Sequence, residues 1–219
     1  MSMPIASVLG GTGLIGQELI SQLIQNNHYQ TIRMLVRRPI ASPHPKVEVK
    51  LVDFKDPESV KLAIDDSEVV FCAIGTTQKK VKGDKQLYKQ IDFDIPVMTV
   101  RLCKEVGCQK FVIVTAIGAN SKSNNFYQKL KGHVEDAITL DPLPFVHIFQ
   151  PSILMGDRKE NRRMEKLGIK LARFINPLLQ GKWKIYRAID AQQVASKMLQ
   201  VSLSEKPGVF RYRYDEIIG

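Results

Sequence analysis

The feature that most constrains this chain is the run Gly10-Gly11-Thr12-Gly13-Leu14-Ile15-Gly16. It follows the short apolar run Ile5 to Leu9 and opens the amphipathic stretch Leu14 to Gln25. A strand that turns on glycine straight into a helix presents backbone N–H groups at the helix N-terminus, where the aligned peptide dipoles favour an anion. Each of three glycines has a separate job. Gly10 permits the tight turn, Gly13 has no Cβ to block an approaching phosphate, and Gly16 lets the helix pack closely on the strand. The spacing is G-x-x-G-x-x-G, so Thr12, Gly13, Leu14 and Ile15 are the residues expected around a bound pyrophosphate.

Beyond this loop, short β-branched runs alternate with longer amphipathic stretches, the pattern of βαβ units and a parallel sheet. Strands are expected at Ile5–Leu9, Ile32–Val36, Val47–Val52, Val69–Ile74, Phe111–Thr115, Phe145–Phe149 and Gly208–Tyr214. Helices are expected at Leu14–Gln25, Pro57–Ile64, Gln86–Val106 and Asn125–Leu140, then as a basic helix, a loop with Trp183, and a final helix from Asp190. The implied fold is a three-layer α/β/α sandwich around a mostly parallel sheet. With 219 residues it forms a single domain, 1–219, carrying a small substrate-side segment at about 151–187.

Several classes are disfavoured. The N-terminal residues carry no basic leader and no run approaches the length of a membrane span, so a soluble cytoplasmic protein is expected. Cys72, Cys103 and Cys108 form no C-x-x-C pair and read as free thiols. His28, His44, His133 and His147 share no ligand spacing, so no metal is expected. Ser152 has no His and Asp at suggestive positions for a hydrolytic triad.

The net charge of +10 is concentrated. Ten basic residues stand against two acids between Arg158 and Arg187, and Lys79, Lys80, Lys82 and Lys85 form a second cluster. Such fields attract nucleic acid, an anionic lipid surface or a phosphorylated ligand, or simply solvate helix faces. The aromatic residues do not interleave with the basic ones as they do in an RNA-binding sheet. At the end of the second strand, where a carboxylate would accept from the 2′-hydroxyl of NAD, the chain has Arg37 and Arg38. Guanidinium groups there hold a 2′-phosphate with charge-assisted hydrogen bonds, which points to NADP over NAD. Asp53 is a candidate acceptor for the adenine amino group, with Phe54 beside the base.

Tyr127 and Lys131 stand four residues apart, on one helix face one turn apart, after the strand ending at Thr115. The lysine is expected to lower the tyrosine's pKa and hold the nicotinamide ribose, the tyrosine to protonate a carbonyl oxygen, and Thr115 to hydrogen-bond that oxygen.

Together with Cys72 to Thr77, Ile91-Asp92, Phe111 to Ala119, Gly132 and Gln150 to Leu154, these pieces make the chain resemble the atypical short-chain dehydrogenase/reductase superfamily. The resemblance is greatest to its Tat-interacting-protein-like branch, with a Rossmann fold. It implies that Ala73, Ile74 and Gly75 skirt the adenosine half of the cofactor and that Pro151 to Ile153 face the nicotinamide. Two positions depart from it, Thr115 where serine is common and Gln150 where arginine is often seen. It implies an NADPH-dependent reductase of a small carbonyl compound. The alternative it leaves is a cofactor-sensing regulator, without turnover, that engages a protein, lipid or nucleic-acid partner through its basic segment.

Overall fold

Seven parallel strands form the main sheet, in the order β3-β2-β1-β4-β5-β6-β9. The strands are β1 (Ile5–Leu9), β2 (Thr31–Val36), β3 (Val47–Leu51), β4 (Val69–Cys72), β5 (Lys110–Val114), β6 (Phe145–Phe149) and β9 (Gly208–Tyr212). A separate two-stranded ribbon pairs β7 (Leu154–Met155) with β8 (Ile189–Asp190). The structure is a computed structural model and describes residues 3–155, 176 and 179–219. The basic helix expected after β7 falls largely at 156–175, outside the described residues.

The central strands read as continuous apolar runs because both of their faces are covered. On one face α1 (Leu14–Gln25) and α6 (Ala191–Ser202) pack Leu19, Leu23, Val194 and Met198 against β1, β2 and β4. On the other, α2 (Pro57–Ile64), α4 (Ile95–Glu105) and α5 (Phe126–Leu140) bring Ile64, Val100, Val134 and Ile138 together. The result is the expected Rossmann-like three-layer sandwich in a single domain. The strand order reverses between β1 and β4, and in doubly wound sheets the crevice at the carboxyl ends of two such strands is where ligands bind.

Helix starts follow local chemistry. Asp56 accepts from Glu58 N with Pro57 in the first turn, and Asp84 accepts from Gln86 N and Leu87 N to start α3 (Lys85–Lys89). Asn125 accepts from Tyr127 N and Gln128 N, which fixes where α5 begins. The long helix expected over Gln86–Val106 is instead α3, a π-helical segment Gln90–Asp94, and α4. The wider π turn re-aims a side chain without ending the helix, and Asp92 sits on it. Val69–Ile74 shortens to a strand ending at Cys72, and the last strand stops at Tyr212 before α7 (Tyr214–Ile218).

Candidate functional site

Gly10 has φ +81, and a Cβ there would press within 2.6 Å of the carbonyl of Ala73, so the turn after β1 and the segment after β4 require glycine to lie this close. A Cβ on Gly16 would overlap the Gly10 carbonyl, which explains why α1 starts so near its own loop. Gly13 caps α1 with no side-chain hydrogen bond, and the first turn holds no acid. The helix therefore keeps its positive end for an outside anion. These features fit a dinucleotide pyrophosphate.

Two adjoining lobes open at this point. The first, about 400 Å³, is lined by Gly10, Arg37, Arg38, Phe54 and the Ala73–Thr76 segment among others, and among the described residues none that lines it is an acid. Arg37, Arg38 and Phe54 are thus brought together along one lobe. Asp53 is not among the lining residues; its carboxylate accepts from Lys55 N at 2.9 Å in a local turn.

The second lobe, about 530 Å³, is lined by Thr12 to Ile15, Asp92, Thr115, Tyr127 and Lys131 among others. Lys131 Nζ lies 5.9 Å from the centre of the Tyr127 ring. It is buried, and it pairs with Asp92 Oδ1 at 2.8 Å. The other carboxylate oxygen, Asp92 Oδ2, accepts from Thr76 N at 2.9 Å, tying the π turn to the loop after β4. Desolvation raises the pKa of Tyr127 and Asp92 adds to the rise, together outweighing the lowering by Lys131. The expectation of a lowered value is corrected accordingly: Lys131 acts in the intended direction, but burial of the phenol, with a smaller rise from Asp92, prevails.

Thr115 lines the lobe but is buried, and its hydroxyl donates to Glu135 Oε1 at 2.7 Å. Glu135 also accepts from Gln150 Nε2 and pairs with Arg211, while Gln150 Oε1 accepts from Arg213. Gln150 is therefore a link between a buried carboxylate and an arginine on the chain after β9. Sequence reasoning passed over Glu135, although Tyr127, Lys131 and Glu135 recur at four-residue spacing on α5, the spacing of one helix face. Pro151 and Ile153 do not line the lobe; Ser152 and Leu154 do. Pro151 is buried and Ile153 is 70% exposed. Of the basic segment, the described Arg187 donates to Leu179 O and stacks on Tyr214. Among the described residues no cluster of His, Cys, Asp or Glu could hold a metal, and no helix is long and apolar enough to cross a membrane.

A family model described as NAD(P)H-binding matches residues 10–166. "Protein FMP52, mitochondrial" of Debaryomyces hansenii is 32% identical over 72% of this chain and 70% of its own length. "Protein HTATIP2" of Rattus norvegicus is 27% identical over 92% of this chain and 82% of its own. The Bordetella bronchiseptica enzyme WbmH, solved in complex with NAD+, has a TM-score of 0.71 over 96% of this chain and 75% of its own, at 13% identity, a likeness of fold alone. The mitochondrial name of the FMP52 relative overturns the expectation of a cytoplasmic protein. Such an address leaves no mark on the folded core that a reading of motifs and periodicity detects. The chain belongs to the NAD(P)H-binding family.

Proposed function

We propose that this member of the NAD(P)H-binding family is an NADP(H)-dependent oxidoreductase of short-chain dehydrogenase type, reducing the carbonyl of a small molecule. The observation that carries this reading is that Tyr127 and Lys131 line the same cleft that the glycine loop opens. Gly10 to Ile15 would hold the pyrophosphate, Arg37 and Arg38 the 2′-phosphate, and Phe54 would pack on the adenine. When bound, the reduced nicotinamide supplies a hydride to the carbonyl carbon.

The chain supplies the proton. Tyr127 has a pKa raised by desolvation, so at neutral pH it stays a phenol and can donate its Oη hydrogen to the carbonyl oxygen. Lys131, held by Asp92, offsets the charge left on the tyrosine oxygen, and water entering the cleft returns the proton. Thr115 can help orient the same oxygen only by turning its hydrogen away from Glu135, so its share is smaller than Tyr127's. The residues after β6, Ser152 and Leu154 among them, form the substrate side. A mitochondrial location goes with this proposal, in line with the name of the Debaryomyces relative.

The test is NADPH oxidation screened against aldehydes, ketones and quinones, with Tyr127→Phe alongside. A substrate whose turnover falls about 10²- to 10⁴-fold in the variant supports the proposal. No turnover by either form, with NADPH bound by both, sinks the enzyme reading in favour of a cofactor-sensing protein.

A further inference from the structure

The two lobes of the cleft share a short border made of Thr12, Gly13, the Ala73–Thr76 segment and Lys80. Among the described residues, Lys80 is the one charged residue that lines both lobes. A dinucleotide laid with its adenosine in one lobe and its nicotinamide in the other places its pyrophosphate at that border, against the N-terminus of α1.

Lys80 belongs to the cluster Lys79, Lys80, Lys82 and Lys85, but its three companions line neither lobe, and Lys85 lies over the Phe126 ring instead. The backbone that carries it is anchored by its surroundings. Thr76 is pinned at both backbone groups, its N–H by Asp92 and its carbonyl by the Tyr88 hydroxyl. Lys80 N donates to Thr77 Oγ1, and the next residue, Val81, is buried with Tyr88 and Leu130. Gly83, at φ +81, closes the turn by donating to Gln78 O. An exposed lysine within such an anchored turn, lining a cleft together with Thr12 and Gly13 at the start of α1, adds a second source of positive potential for an anion.

We propose that Lys80 clamps the cofactor pyrophosphate from the side opposite the glycine loop. This inference rests on the dinucleotide reading above, and it makes Lys80 indifferent to the 2′-phosphate, which belongs to Arg37 and Arg38. The contact is made on binding and involves no covalent step.

The test is direct binding to the purified full chain, with NADPH and NADH followed by reduced-nicotinamide fluorescence and adenosine 2′-phosphate by displacement of NADPH. Lys80→Ala and Lys80→Arg are compared with Arg37→Ala, and thermal unfolding of each variant checks its fold. Lys80→Ala should weaken NADPH and NADH alike, by roughly tenfold or more for a lost charge-assisted contact, and leave adenosine 2′-phosphate unchanged. Lys80→Arg should restore most of the affinity. Unaltered binding of both dinucleotides by folded Lys80→Ala overturns the inference, as does a loss confined to NADPH. Failure of the parent chain to bind either dinucleotide refutes the functional reading, together with the clamp that rests on it. Binding of NADH alone refutes only the NADP preference.

Discussion

Removing Asp92 tests the architecture of the cleft from the inside. Its carboxylate sits 2.8 Å from Lys131 Nζ, with side-chain exposures of 1% and 5%. Breaking a buried pair by deleting one partner leaves an uncompensated charge and costs about 3–5 kcal/mol. The pair lines a water-accessible cleft, so the lower end applies, and Asp92→Leu also strips Thr76 N of its acceptor, adding about 1 kcal/mol. The variant should lose about 4 kcal/mol. At a urea slope of about 2–3 kcal/mol per molar, its unfolding midpoint should fall by about 1.5 M. The decisive arm is Asp92→Leu combined with Lys131→Met, which removes both charges. The double variant should be more stable than Asp92→Leu alone, because no charge is stranded. A cost below about 1 kcal/mol for Asp92→Leu, or a double variant costing the sum of the singles, refutes a tightly coupled pair.

Three further outcomes follow. His147 is buried, with a pKa pushed down to about 4 by desolvation and by Lys110. A depressed value means stability is present above the ordinary histidine value near 6.5 and lost as pH falls toward about 4, by up to about 3 kcal/mol; acid titration of the unfolding free energy should show that loss, and His147→Gln should flatten it. Gly16→Ala should destabilise by about 1–3 kcal/mol or more and weaken dinucleotide binding, since its Cβ would displace the Gly10 turn; calorimetry together with an NADPH titration measures both. Thr115→Val should cost less turnover than Tyr127→Phe, because the Thr115 hydroxyl is already bonded to Glu135; comparing the two kcat/KM losses on any substrate found decides it.

Most of the fold was legible because it rests on local signals. The strand, glycine loop and helix at Ile5 to Gln25, the buried runs at Val69 and Phe111, and the Asn125 cap ahead of Tyr127 each announce themselves within a few residues. The cleft was half legible. Gly10, Thr12 to Ile15, Arg37, Arg38, Phe54 and Tyr127 with Lys131 come together around the two lobes, because fold topology carries strand ends to one edge. Long-range partners were not legible. Asp92 reaches Lys131 from a π turn, and nothing in Gln90 to Asp94 advertises that turn. Thr115 gives its hydrogen to Glu135, and Gln150 is held between Glu135 and Arg213, through contacts between elements 15 to 63 residues apart. Asp53 illustrates the opposite error, an acid at the right place in sequence whose side chain serves its own turn.

NADP binding through Arg37 is tested most directly by titrating the purified protein with NADPH and with NADH, in the parent chain and in Arg37→Ala. NADPH should bind more tightly than NADH, and the substitution should weaken NADPH by about 1–3 kcal/mol while leaving NADH nearly unchanged. Equal affinity for the two, or binding of neither, contradicts it.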